Sequence, residues 1–248
     1  MKYLFGFLFV VGSIVVFGQN EVVRPDIPGE LMVDIGLNYW DVNPITALND
    51  SVNLEIDPQG WRSKSLGIYY TKRFPISNKF SMYYGLGLGF EKISLGNNAT
   101  FESGVLFNGD DNNVENDSLA ALAITNLPGN ISYDKNKLGI TYLDIPLDFR
   151  FHPLGTEDGE GLFIGVGGVV GLRMNSKVKL KYEEGDETVI QKVKGKYNLS
   201  GLRYGVQARF GFRGVHLFYK QYFSDVFKDE IGGAQPRMKT IGINITGF

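Results

Sequence analysis

The segment Phe80–Glu91 limits the possible folds more than any other part of the chain. Phe80, Met82, Tyr84, Leu86, Leu88 and Phe90 alternate without a break with Ser81, Tyr83, Gly85, Gly87, Gly89 and Glu91. Successive side chains of a strand point to opposite faces, so this stretch has one wholly apolar face and one small or polar face. On a helix, residues two apart would scatter around the axis and form no stripe. The same pattern recurs along the chain. It predicts strands over Leu31–Trp40, Ser65–Arg73, Gly139–Phe151, Gly161–Met174, Leu199–Gly211, Val215–Phe223 and Lys239–Phe248.

The connections between these eight segments alternate in length. They are short after the second, fourth and sixth strands, and long at 41–64, 95–138, 175–198 and 224–237. This asymmetry belongs to outer-membrane barrels, with short periplasmic turns and long extracellular loops. The expected fold is all-β, an eight-stranded antiparallel up-and-down transmembrane β-barrel with both termini in the periplasm. Mean hydropathy of −0.09 and 43% hydrophobic residues would by themselves suggest a soluble chain. Alternation hides the apolar half of each strand from such averages. The 32 glycines and 13% aromatics suit a barrel, where glycine relieves crowding and aromatics sit at the membrane interfaces. A soluble lipocalin-like barrel also has eight strands, but it turns its apolar face inward around a ligand. Here the polar faces carry Arg, Asp and Glu repeatedly. Pro146 lacks a ladder donor and predicts a bulge or weak pairing within the fourth strand.

Residues 1–18 read as a signal peptide, with Lys2 before the apolar stretch Tyr3–Phe17 and cleavage expected after Gly18. An uncleaved anchor helix is the alternative. Residues 19–30 form a polar periplasmic lead-in, and 31–248 form the barrel. Cysteine is absent, which excludes a lipid-anchored N-terminus, disulfides and thiolate chemistry. The formal charge of −2 gives no sign of a nucleic-acid partner.

The run Tyr142-Leu-Asp-Ile-Pro-Leu-Asp-Phe-Arg-Phe151 resembles a strand typical of Bacteroidetes outer-membrane β-barrel proteins of the PorT-like group. Arg203-Tyr-Gly-Val206, Leu217-Phe-Tyr-Lys-Gln-Tyr222 and the terminal aromatic are similar to that group as well. The resemblance covers most of 31–248. It implies the barrel fold and outer-membrane location, and it allows a secretion-related role among others. Phe248 departs from the pattern, because its parity is opposite to that of Ile241, Ile243 and Ile245. A bulge near Gly247 would restore it.

The inward faces gather Asp34, Glu91, Asp144 and Asp148 with Arg73, Arg150, Arg173, Arg203 and Arg209. Such charges must pair or stay hydrated. They form either an interlocked plug or a polar passage for a small solute, and eight strands leave room for little beyond side chains. Inward Gly85, Gly87, Gly89, Gly165 and Gly167 are expected to make room for neighbouring Tyr and Arg. The third loop holds Lys177, Lys179 and Lys181, then an acidic tip, then Lys192, Lys194 and Lys196. It reads as a hairpin extending the wall beyond the membrane. Its lysines either blunt an exposed edge or contact anionic lipid headgroups or an acidic partner.

His152 and His216 read as polar turn residues. Ser81 faces inward near them, but no Gly-x-Ser-x-Gly elbow supports a hydrolase. The acidic stretch Asn108–Asp117 lacks the spacing of a Ca²⁺ loop, and two Asp-Ser triplets at Asp50 and Asp117 resemble O-glycosylation acceptors. No catalytic residue, cofactor or metal site is expected. The sequence reads as a non-enzymatic membrane anchor or assembly factor, embedded in outer-membrane lipid and meeting an envelope protein through its loops. A narrow channel or transport accessory is the alternative.

Overall fold

The computed structural model describes residues 29–41, 45–49, 52–56, 58–96, 99–105, 120–126, 133–154, 161–184, 187–212, 214–229 and 235–247. Its strands are β1 (Glu30–Trp40), β2 (Ile45–Asn49), β3 (Val52–Ile56), β4 (Lys64–Pro75), β5 (Phe80–Ser94), β6 (Ala99–Val105) and β7 (Ala120–Asn126). They continue as β8 (Tyr133–Phe151), β9 (Phe163–Glu184), β10 (Glu187–Lys194), β11 (Leu202–Phe212), β12 (Val215–Asp225) and β13 (Arg237–Thr246).

Eight of these close a ring in the order β1, β4, β5, β8, β9, β11, β12, β13, every pair antiparallel and β13 pairing back to β1. Closure leaves no edge strand within the bilayer, where unpaired N–H and C=O groups would cost several kcal/mol each. The outer wall is apolar. Leu86 is 52% exposed, Ile145 55% and Ile241 53%, while their strand neighbours face the interior. Phe74, Phe80, Phe151 and Phe212 project outward beside the short turns, where an aromatic girdle is expected. The first and last barrel strands begin and end on that same side.

The expected eight strands are all present. Two run further than alternation suggested. β8 starts at Tyr133 rather than Gly139, and β9 continues to Glu184 rather than ending at Met174. The sixth barrel strand starts at Leu202, and Leu199 instead bridges Phe227. The long connections contain strands of their own: β2 pairs β3, β6 pairs β7, and β10 pairs the extension of β9.

Pro146 is accommodated by weak pairing rather than by a bulge. The β5–β8 ladder runs to Tyr84↔Leu147 and resumes in the same register at Gly87↔Asp144. The β8–β9 ladder continues through Pro146↔Val169. Val215 follows a tight turn in which Gly214 has φ 79°, a conformation that favours glycine in hairpins. Gly247 also has a positive φ, at 89°. Phe248, the expected signal peptide and lead-in through residue 28, the 108–117 acidic stretch, Asp50 and the Asp117 triplet lie outside the described residues.

Candidate functional site: the sealed lumen and the outer hairpin

Along β1, Met32, Asp34, Asn38 and Trp40 face inward, from the short-turn end to the long-loop end. They mark the levels of a layered interior. Near the short turns, the Arg150 guanidinium lies 3.8 Å from the ring of Tyr83 and 4.6 Å from that of Phe163, a packing that suits a planar cation. The ring of Phe163 lies 5.6 Å from His152 and 4.6 Å from His216. Both histidines are buried, contrary to the expectation of polar turn residues, because the strands end with these side chains facing the lumen. His216 Nδ1 lies 2.7 Å from Asn244 Oδ1. Burial, followed by the charges of Arg150 and Arg73, lowers the His152 pKa below its ordinary value. Ser81 is inward as expected, and accepts a hydrogen bond from Arg73 Nε at 3.2 Å.

The next layer is built on Asp34. Arg209 donates to both of its oxygens at 3.0 Å, and Lys220 Nζ lies 2.7 Å away. Arg209 Nε lies 3.0 Å from Asp148, which also accepts from Gln207 Nε2 at 2.6 Å. Arg150 lies 3.9 Å from the same carboxylate. Higher still, Arg203 grips Asp144 with two donors and Glu91 with a third at 2.9 Å. Its guanidinium sits 3.8 Å from the ring of Tyr142 and 4.7 Å from that of Tyr222. Asn38 donates to Glu91 at 2.6 Å and accepts from Thr240 at 2.7 Å. Tyr69 joins the two layers, accepting from Lys220 at 3.1 Å and donating to Asp144 at 3.4 Å.

The buried charges of the described residues balance. Asp34, Glu91, Asp144 and Asp148 face Arg150, Arg203, Arg209 and Lys220. Neutrality and multiple hydrogen bonds are what make buried ions tolerable in a low dielectric. Space comes from glycine. A Cβ at Gly89 or Gly171 would collide with the Asp144–Arg203 pair.

Seven of the nine charges expected in the lumen join this network. Arg73 and Arg173 do not join its ion pairs, because they stand at opposite rims where other acceptors are nearer. Arg173 donates to Ser176 Oγ, Ser200 O and Lys196 O. Lys220, Tyr69, Asn38, Gln207 and Asn244 complete the network and were not singled out from sequence. Both faces of β12 carry aromatics, so its alternation concealed Lys220 beside Phe218 and Tyr222.

Above the ion pairs lies an apolar cap with no counterpart in the sequence reading. Trp40, Phe101, Leu138, Val178, Leu199 and Phe227 are buried together at the long-loop end. Phe227 meets Trp40 at 5.7 Å and Phe101 at 5.4 Å between ring centroids. Tyr197 and Asn198 hold φ 46° and 48° in the turn that delivers Tyr197 and Leu199 to the cap.

The third-loop hairpin extends the wall as expected. Lys179 pairs across to Lys192, and Lys177 to Lys194. Lys196 is a correction. β10 ends at Lys194, and the Lys196 carbonyl accepts from Leu199 in the turn below the hairpin.

A family model matches most of the chain. The sequence model of the family described as outer membrane protein beta-barrel domain matches residues 29–227. No curated protein matches. Among solved structures, the chain is 12% identical to Ail, the attachment invasion locus protein of Yersinia pestis, solved with the heparin analogue sucrose octasulfate. That alignment covers 89% of this chain and 100% of Ail, with a TM-score of 0.34. A triple mutant of the Rhodopseudomonas blastica porin is 11% identical, covering 88% of this chain and 99% of the porin, with a TM-score of 0.18. Scores this low add nothing to the strand pairing described above.

Proposed function

Because this chain belongs to the outer membrane protein beta-barrel domain family, we propose that it is a sealed, non-enzymatic membrane anchor that presents its extracellular hairpins to an envelope partner. The observation that carries this reading is the continuity of the interior. A neutral network of ion pairs and hydrogen bonds joins seven of the eight barrel strands, the eighth supplies inward glycines, and an apolar cap lies above. A passage for solutes would need hydrated, unpaired polar groups along the axis, whereas here the carboxylates are already gripped by Arg and Lys. The strand Tyr142–Phe151 supports a place in the PorT-like group of Bacteroidetes, with export through a signal peptide cleaved after Gly18 and a role in assembly or secretion.

Planar-bilayer recordings test the seal. The folded protein should give no stable conductance above background. Stable openings would favour the alternative, a narrow channel or transport accessory.

A further inference from the structure

The outward side chains of β4, β5, β8, β9 and β10 change character in successive rows. One row is apolar: Ile68, Leu88, Leu143 and Leu172 stand side by side across four strands. The next holds Leu66, Phe90, Thr141 and Asn175. The row beyond it holds Lys64, Lys92, Gly139, Lys177 and Lys194 in unbroken register. Lys137, Lys179 and Lys192 follow one step further out. Each row is two residues along the strand, about 7 Å. The cations therefore begin within about 15 Å of the last fully apolar row, on the wall that faces lipid.

A bulge makes this arrangement. Thr141 pairs with Asn175 and Tyr142 with Arg173, leaving Met174 as the extra residue of β9. The bulge reverses the parity, so Val178 turns inward to the cap and Lys177 and Lys179 turn outward. Further out, Lys181 is neutralised by Asp134. Among the described residues no carboxylate pairs with the lysines of the two inner rows.

We infer that this face is a docking surface for the phosphate-bearing headgroups of the lipid leaflet around the barrel. Continuity with the lipid-facing rows selects lipid over a soluble partner: an acyl chain against Leu88 and Leu172 places its headgroup at the lysines. The lysines come from five strands, so the charge accumulates only when β4, β5, β8, β9 and β10 pair in this register. Blunting of a strand edge accounts for β10 alone, since Lys64, Lys92 and Lys137 lie on strands paired on both sides.

Native mass spectrometry tests the surface. The full-length protein, folded in a zwitterionic detergent, is mixed with bisphosphorylated lipid A, with its dephosphorylated form, or with inorganic polyphosphate. The wild type should retain the phosphorylated lipid in preference to the other two. Lys92→Gln, Lys137→Gln and Lys177→Gln together should weaken that retention by about fivefold per lysine. Lys239→Gln, on the far wall, should leave it unchanged, and heat-modifiable gel mobility confirms that each variant is folded. Equal retention of both lipid forms, or an unchanged triple variant, overturns the proposal. Tighter binding of polyphosphate than of the lipid overturns it in favour of a soluble anionic partner.

Discussion

Arg203 meets two carboxylates and two tyrosine rings, contributed by three other strands: Asp144 and Tyr142 by β8, Glu91 by β5 and Tyr222 by β12. Parity in β11 and β8 was enough to place Arg203 and Asp144 inside. It could not pair them, because register between strands far apart in sequence is set by closure of the ring. Arg203→Met should destabilise the folded protein by about 3–5 kcal/mol, since it leaves Asp144 and Glu91 buried without their cation. The double variant with Asp144→Asn should lose less than the sum of the two single changes. Urea titration of tryptophan fluorescence in detergent measures both. A loss below about 1 kcal/mol for Arg203→Met would mean that water screens the site, and the lumen would then be a wet passage. His152 and His216 show the limit of reading residues one at a time. Their positions beside turns suggested exposure, whereas both side chains face the lumen and pack on either side of Phe163.

The element that departs most from its sequence pattern is β9. Up to Met174 its even-numbered residues face lipid, and beyond the bulge its odd-numbered lysines do. Simple alternation gives no warning of such a reversal, which is why Met174 looked like a strand end. β5 behaves in the opposite way, keeping one parity from Phe80 through Lys92. Leu86, which is 52% exposed on its outer face, should not accept a charge. Leu86→Arg near the midplane should cost about 2–4 kcal/mol. Reversible unfolding in lipid vesicles measures the loss, with Lys72→Arg as a control that adds no charge. A neutral result would show that Leu86 does not face lipid and would invert the assignment of the two faces.

At the scale of the whole molecule, orientation follows from which end carries the long connections. Trp61 is 68% exposed on that end, and Leu154 is 85% exposed beside a short turn at the other. The chain has no cysteine, so single replacements can be labelled without background. In intact cells a membrane-impermeant maleimide should label Trp61→Cys and spare Leu154→Cys. The reverse pattern would turn the barrel over and place the lysine rows in the periplasm.

The sequence by itself determined the class, the strand number and the face of nearly every barrel residue, because period-2 alternation is a local property of an extended backbone. It also marked the alternation of long and short connections and seven of the charges that enter the network. Tertiary structure alone decided that those charges neutralise one another, that Lys220 and Tyr69 link them, and that an apolar cap closes the long-loop end. It also decided that lysines from five strands share one outer wall. Each of these depends on which strands pair and in what register, and the lysine wall also on the bulge in β9, because side chains far apart in sequence meet only through the pairing of their strands.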